Sequence, residues 1–231
     1  MYSREINGEE FTFGVSGKLI MNVLVMYDRQ TNTLWSQLLG EAVQGPLKGT
    51  KLEFLPSWQT TWEDWKTQNP NTLALRKGFS SGREPYEGYF NSSSAGVIGE
   101  TTRDDRLYVK EFVIGVEHQD EPVAYPFSVL NNEPVVNDTV GGEPVLVTFD
   151  ADTASGVVFK RNLDGQTLTF SGGTGLVLTD EETGSTWNGR TGLATDGPLA
   201  GQELTRLKST RSFWFGWKDF YPETRVYGID P

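Results

Sequence analysis

Few side chains in this sequence have a type and spacing that could do chemistry, and the most suggestive set surrounds one indole. Tyr27, Arg29, Ser36 and Gln37 flank Trp35. An arginine and a primary amide beside an indole can orient a small anionic or sugar-like ligand, the guanidinium through charge and paired N–H bonds, the indole through its flat apolar face. Asn137-Asp138, ahead of Thr139, suits either a backbone-bonding Asn/Asp turn or a working carboxylate. Asp150 and Asp152 carry charge suited to calcium, but no acidic ligand stands at the far end of their loop, so they read as a solvated turn. Gly14-Val15-Ser16-Gly17 is not the Gly-x-Ser-x-Gly elbow, and the sole histidine, His118, sits beside Gln119-Asp120-Glu121 as a hairpin tip. No Ser-His-Asp triad is expected from these parts. The chain has no cysteine, so it holds no disulfide, thiolate nucleophile or zinc-thiolate site. This reading assigns no catalytic residue, metal or cofactor; a small molecule is the ligand that the residue types favour.

The elements that would carry these residues are laid down twice. Asp28, Thr31, Trp35, Gly40, Ala42, Gly45-Pro46-Leu47, Gly49, Leu52, Leu55, Ser57, Trp62, Trp65, Lys66, Pro70 and Thr72 return 152 positions later, beginning at Asp180 and ending at Thr224, with no gap. A shorter match at an offset of 157 pairs residues 2–13 with 159–170, Arg4 on Arg161, Gly8 on Gly165 and Phe13 on Phe170. A repeat of this length marks an internal duplication. Residues kept in both copies serve the scaffold, and residues that differ are where function sits. Tyr27, Arg29, Ser36 and Gln37 differ: the second copy has Thr179, Glu181, Asn188 and Gly189. The second copy also has residues from 107 onward with no counterpart ahead of Met1, so the first copy starts in mid-unit, either by nature or because the chain begins partway into a longer one.

Composition sets the class. With 26 glycines, 11 prolines and frequent Thr, Val, Phe and Tyr, the chain reads as mainly β: two related β-rich units, each with one short Trp-bearing helix. The expected division is residues 1–75 as an incomplete first unit, 76–106 as a Gly/Ser-rich connector strapped by its own aromatics around Pro85-Tyr86, and 107–231 as a complete second unit, the two packed as one body. The net charge of −11, with 20 basic residues scattered among 31 acidic ones, argues against a nucleic-acid partner. No apolar run is long enough to cross a membrane, and Met1 is not followed by a signal peptide. Oligomeric state is not legible.

Local signals place the strands and helices. Asn7-Gly8 and Asp164-Gly165 predict tight hairpins, and residues 24–27 and 176–179 predict short strands returning through Trp35 and Trp187. In Asp-x-x-Thr-x-x-x-Trp, the Asp heads a turn by accepting backbone N–H groups and the returning strand buries the indole. Gly-Pro-Leu-x-Gly predicts a turn into strands at 52–55 and 204–207. Thr60 with Glu63 predicts a capping box, Trp62 and Trp65 share a helical face, and Pro70 ends the helix; Ser212, Trp214, Trp217 and Pro222 repeat the set. All these indoles are expected in the core. Further strands are expected at 112–116, 123–125, 135–136 and 145–149, with Gly141-Gly142 as a turn.

The strings YDRQTNTLWSQ, GEAVQGPLKGTKLEFLPS, AYPFSVLNNEPVVNDTVGG and FWFGWKDFYPETRVYG resemble the bacterial and archaeal family catalogued as domain of unknown function 3179, over essentially the whole chain. The resemblance implies no established reaction. It implies members longer at the N-terminus, often behind a secretion or lipoprotein signal, with a Cys-Pro-Leu-Cys-Gly motif in the first repeat. The stretch matching that motif in the second repeat, TFDADTASGVVFKR, puts Asp150 and Thr153 where the cysteines would stand. Two functions stay open: a non-enzymatic extracytoplasmic binding or accessory protein, or a thiol-dependent oxidoreductase or metal-handling protein whose Cys-x-x-Cys lies upstream of Met1.

Overall fold

A computed structural model describes residues 1–76, 86–172 and 174–231. The Pro85 end of the aromatic connector lies outside the described residues. The chain is mainly β. It begins with β1 (Glu5–Ile6), β2 (Glu9–Glu10), β3 (Phe13–Ile20), β4 (Val23–Asp28), β5 (Leu34–Ser36) and β6 (Glu41–Gln44), followed by helices α1 (Trp62–Gln68) and α2 (Glu87–Asn91). Then come β7 (Phe112–His118), β8 (Glu121–Pro126), α3 (Phe127–Leu130), β9 (Val135–Val140), β10 (Glu143–Asp150) and β11 (Ser155–Lys160). The remainder is β12 (Asn162–Leu163), β13 (Gln166–Thr167), β14 (Phe170–Gly172), β15 (Val177–Asp180), β16 (Thr186–Asn188), β17 (Leu193–Asp196), β18 (Thr210–Phe213), α4 (Trp214–Phe220) and β19 (Arg225–Val226).

Matched sequence folds alike. Each repeat opens on a two-residue hairpin whose turn residues take positive φ, Asn7-Gly8 at 52° and 82°, Asp164-Gly165 at 50° and 85°. Each continues into a four-stranded antiparallel meander, β3-β4-β5-β6 and β14-β15-β16-β17, with a register shift just before the buried tryptophan, between Leu34 and Trp35 or Thr186 and Trp187. The glycine opening Gly-Pro-Leu-x-Gly is required at both places. Gly45 has φ 114° and a Cβ there would stand 2.8 Å from the Thr33 Cα; Gly197 has φ 90° and would meet the Ser185 Cα at 2.7 Å. The strands expected at 52–55 and 204–207 are instead single bridges. Lys51 pairs with Glu41 while Phe54 pairs with Tyr2, and Glu203 and Arg206 repeat this with Leu193 and Phe159, so each segment crosses between partners rather than following one.

By packing, the chain divides into two compact units that do not follow the repeats. One comprises Met1–Ser57, Ala95–Tyr125 and Leu207–Pro231; the other comprises Trp58–Ser94 and Pro126–Arg206. The first unit holds the first repeat's meander together with the second repeat's helix α4; the second holds the second meander and α1. In the first unit Trp35 packs with Ile6, Phe11, Ala42 and Leu52, while Trp214 and Trp217 pack on Val113, Ala124 and Val226. In the second unit Trp187 packs with Leu146, Phe159, Phe170 and Leu178. Removing an indole from water takes away on the order of 200 Å² of apolar surface, roughly 5 kcal/mol before ordering entropy is set against it.

The helices start differently from expectation. In α1 the cap is Thr61, whose hydroxyl accepts the Asp64 N–H at 3.2 Å, because the Thr60 hydroxyl instead donates to the Asp64 carboxylate at 2.6 Å. Ser212 does not cap α4. It is held in β18 opposite Val113, and the first helical N–H groups, of Trp214 and Phe215, donate to the carbonyls of Glu111 and Val109 at 2.8 and 3.1 Å. Both helices stop two residues before a proline, as expected.

Candidate functional site

The best-defended polar group in each repeat is the aspartate at the end of the second meander strand. Asp28 accepts the Thr31 N–H at 2.5 Å and the Thr31 hydroxyl at 2.9 Å on one oxygen, and the Trp35 indole N–H at 2.9 Å on the other. Asp180 accepts from Thr183, from the Ser185 N–H at 3.1 Å and from the Trp187 indole at 2.8 Å. Thr33 and Ser185 extend the lock by accepting the N–H of Leu47 and Leu199, which pins the Gly-Pro-Leu turn. Burial pushes both carboxyls up, but the bonds from the indole, the threonine and the turn backbone outweigh it and hold them below the ordinary aspartate value. These carboxylates are buried, ionised and saturated with internal donors, so they serve the turn rather than proton transfer.

Around this lock the structure brings some of the expected site residues together and parts others. The register Val25↔Ser36, Met26↔Trp35 and Tyr27↔Leu34 puts Tyr27 and Ser36 on one face of the sheet and Trp35 on the opposite face. Trp35 is fully buried with its ring edge-on to Phe13, and Ser36 is buried too. Tyr27 and Arg29 do meet: the guanidinium lies 5.7 Å from the phenol centroid, and its Nη1 donates to the Phe13 carbonyl at 2.6 Å. Arg29 is exposed, as is Gln37 just beyond β5.

Asn137 and Asp138 belong to the other compact unit, and they sit within β9 rather than in a turn ending a strand. The ladder with β10 runs on to Val140 because Gly141-Gly142, both at positive φ, makes the turn. The Asn137 amide clasps Phe170, donating to its carbonyl at 2.7 Å and accepting its N–H at 2.8 Å. Phe170 is the repeat partner of Phe13, so Asn137 and Arg29 hold the same backbone point in the two copies. Asp138 accepts the Thr139 N–H at 2.8 Å.

One cluster had no sequence signal. Arg190 donates through Nη1 to Asp64 at 2.7 Å and through Nη2 to Asp150 over a shorter contact, so Asp150 is an ion-pair partner and not a merely solvated turn residue. The hydrogen bond from Thr60, then the Arg190 contact, hold the Asp64 carboxyl below its usual range against the opposing effect of burial. The partners are separated by 126 and 40 residues, which no spacing rule captures. Lys208 is a second such group: burial pushes its ammonium pKa down, and its Nζ donates to the Leu39 carbonyl at 3.0 Å. Ser16 donates to the Val25 carbonyl at 2.5 Å, and His118 closes β7 ahead of the Gln119-Asp120 turn. Among the described residues no cluster of three or more His, Asp or Glu side chains is placed to hold a metal, and no helix is long and apolar enough to cross a membrane.

The family model for the protein of unknown function DUF3179 matches residues 1–224. The chain belongs to this family. No curated protein and no solved structure matches the chain. Within a DUF3179 chain, then, the locked aspartates, the Arg29–Tyr27 pair and the Arg190 cluster are among the polar features that the fold sets in place.

Proposed function

We propose that the chain is a non-enzymatic binding or accessory module, acting outside the cytoplasm, that takes a small anionic or sugar-like ligand at Tyr27 and Arg29, where β4 of the first repeat ends. The supporting observation is an asymmetry between two meanders that are otherwise alike. Tyr27 and exposed Arg29 stand where the second repeat has Thr179 and Glu181. A guanidinium lying near a phenol keeps N–H groups to offer to a carboxylate, phosphate or diol. Gln37 adds an exposed amide, while Trp35 and Ser36 contribute from within by fixing the sheet that carries them. In this reading Asn137 and Asp138 support the second repeat's scaffold and make no ligand contact.

A calorimetric screen of small carboxylates, phosphates and sugars tests the reading. Arg29→Ala should abolish binding of any hit while lowering stability by only about 0.5 kcal/mol, since the one hydrogen bond lost is exposed. A hit that binds Arg29→Ala as tightly as the parent removes the proposal. The alternative thiol chemistry draws support from the turn joining β10 and β11. Asp150 faces Ser155 there, and the hydroxyls of Thr153 and Ser155 lie 2.5 Å apart, so side chains at 150 and 153 share one small turn where a thiol pair could close. The parent gene upstream of residue 1 decides it by the presence or absence of a Cys-x-x-Cys.

A further inference from the structure

We propose that the indole face of α1, with the extended segments on either side of it, is the seat of a two-stranded antiparallel β-hairpin built like β7–β8. The occupant is the first repeat's counterpart of residues 112–126, which none of residues 1–231 supplies.

The second repeat shows what this motif does when complete. Three of its elements clasp β7–β8: β18 pairs with β7 from Thr210↔Gly115 to Phe213↔Phe112, β19 pairs with β8 through Arg225↔Val123 and Val226↔Ala124, and α4 lays its indoles against this sheet's Val113, Ala124 and Val226. Trp217 rests on Gly115 so closely that a Cβ there would stand 2.2 Å from the nearest ring carbon. Trp214 and Trp217 are accordingly 0% and 2% exposed.

The first repeat carries the counterpart residues 58–61, α1 and residues 73–74, and the helix is entered and left with the same backbone geometry. The residue before the helix has φ/ψ of −71°/155° at Thr61 and −71°/150° at Phe213; the residue after it has −126°/69° at Asn69 and −131°/73° at Tyr221. Trp65 donates its indole N–H to the Thr72 hydroxyl at 2.9 Å, as Trp217 does to Thr224 at 2.9 Å. Yet nothing among the described residues lies where β7–β8 would lie. Trp62 is 54% exposed, Trp65 37%, Leu73 93% and Leu75 87%, and neither flanking segment belongs to a β-ladder. An open recess of about 370 Å³ runs along Trp65, Asn69, Pro70 and Thr72. Exposed indoles and leucines this close in sequence suit a contact surface, and flanking segments that join no ladder leave backbone groups for strand addition.

Charge points to the same occupant. Lys218 is buried against Glu100, at 2.9 Å, from the segment leading into β7. Its counterpart Lys66 is exposed and would take the equivalent acid from the incoming segment. The occupant is therefore a hairpin with apolar residues on its inner face, a glycine under Trp65 and an acidic residue ahead of its first strand. The inference does not rest on the ligand reading above, since it concerns α1 and not the end of β4.

The test adds a second copy of residues 107–157 ahead of Met1 in the full chain, restoring the register of the 157-residue offset. Acrylamide quenching of tryptophan fluorescence, compared between each chain and its Trp62→Phe/Trp65→Phe variant, isolates these two indoles. They should be quenched in the parent chain and lose that quenching in the extended one, and Gly115→Leu in the added copy alone should restore it. Unchanged quenching of Trp62 and Trp65 in an extended chain that melts cooperatively overturns the proposal. Should the extended chain fail to fold, a synthetic peptide of residues 100–126 titrated into the parent chain decides: protection of the two indoles supports the proposal and its absence at saturating peptide overturns it. Sedimentation velocity showing a parent-chain dimer that Trp62→Glu dissociates would assign the face to a second copy and overturn it too.

Discussion

At the scale of single residues, the pairing of Asp28 with Trp35 and of Asp180 with Trp187 shows how a short motif specifies a turn. One carboxylate gathers the backbone and hydroxyl donors of the turn and the indole N–H of the returning strand, which no neutral side chain of that size can accept together. Asp28→Asn turns one acceptor into a donor facing those N–H groups, and should cost about 2–4 kcal/mol in urea unfolding. Its pH signature follows from the direction of the shift. The folded pKa lies below the unfolded value of about 3.9, so the carboxylate's contribution is full above that value and is lost as pH falls through the folded pKa. Urea midpoints of the parent chain should therefore fall more steeply below about pH 4 than those of Asp28→Asn, whose residue 28 cannot titrate. Parallel slopes would show that this aspartate is not the linked group. The turn and the burial of its indole were legible in sequence because these residues lie within seven positions of one another; the bond from the indole N–H to the carboxylate came only with the structure. The clamps on Phe13 by Arg29 and on Phe170 by Asn137 were not legible, since two different side chains from different strands reach equivalent backbone points.

At the scale of elements, helix ends and hairpin turns were set locally by Pro70, Pro222, Asn7-Gly8 and Asp164-Gly165, whereas caps answered to neighbours. Ser212 has the side chain of a cap, but pairing of β18 with β7 draws it into a strand, and backbone carbonyls from residues 109 and 111 take over. The contact between α4 and β7 is the most demanding of these fits. Gly115→Ala places a methyl group 2.2 Å from the Trp217 ring and should cost about 3 kcal/mol or more by thermal or urea unfolding. Gly216→Ala, within α4 itself, meets the Ser212 hydroxyl at 3.1 Å and a Val23 methyl at an ordinary 3.9 Å and gains up to about 1 kcal/mol of helix propensity, so it should be neutral or mildly stabilising. Equal losses from both would refute this account of the packing.

At the scale of the whole molecule, the two Trp helices carry one motif and meet different fates. Trp214→Ser should cost about 3–5 kcal/mol because it empties a core position, while Trp62→Ser should cost no more than about 1 kcal/mol because more than half of that indole is exposed; chemical denaturation of the two variants checks the contrast. The expectation that all repeated indoles lie in the core failed here for a definite reason. A helix face is buried only where a partner surface covers it: α4 lies on Val113, Ala124 and Val226, whereas Trp62 and Trp65 of α1 are left 54% and 37% exposed. By itself the sequence determined the repeat, the β-rich class, the Asp-headed turns and the burial of Trp35 and Trp187, which depend on patterns close together along the chain. Only the tertiary structure decided that α1 and α4 each join the compact unit built on the other repeat's sheet, that Arg190 bridges Asp64 and Asp150, and which indoles stay exposed. Those outcomes depend on which distant surfaces meet, and burial acts on surface area removed from water whatever the separation in sequence.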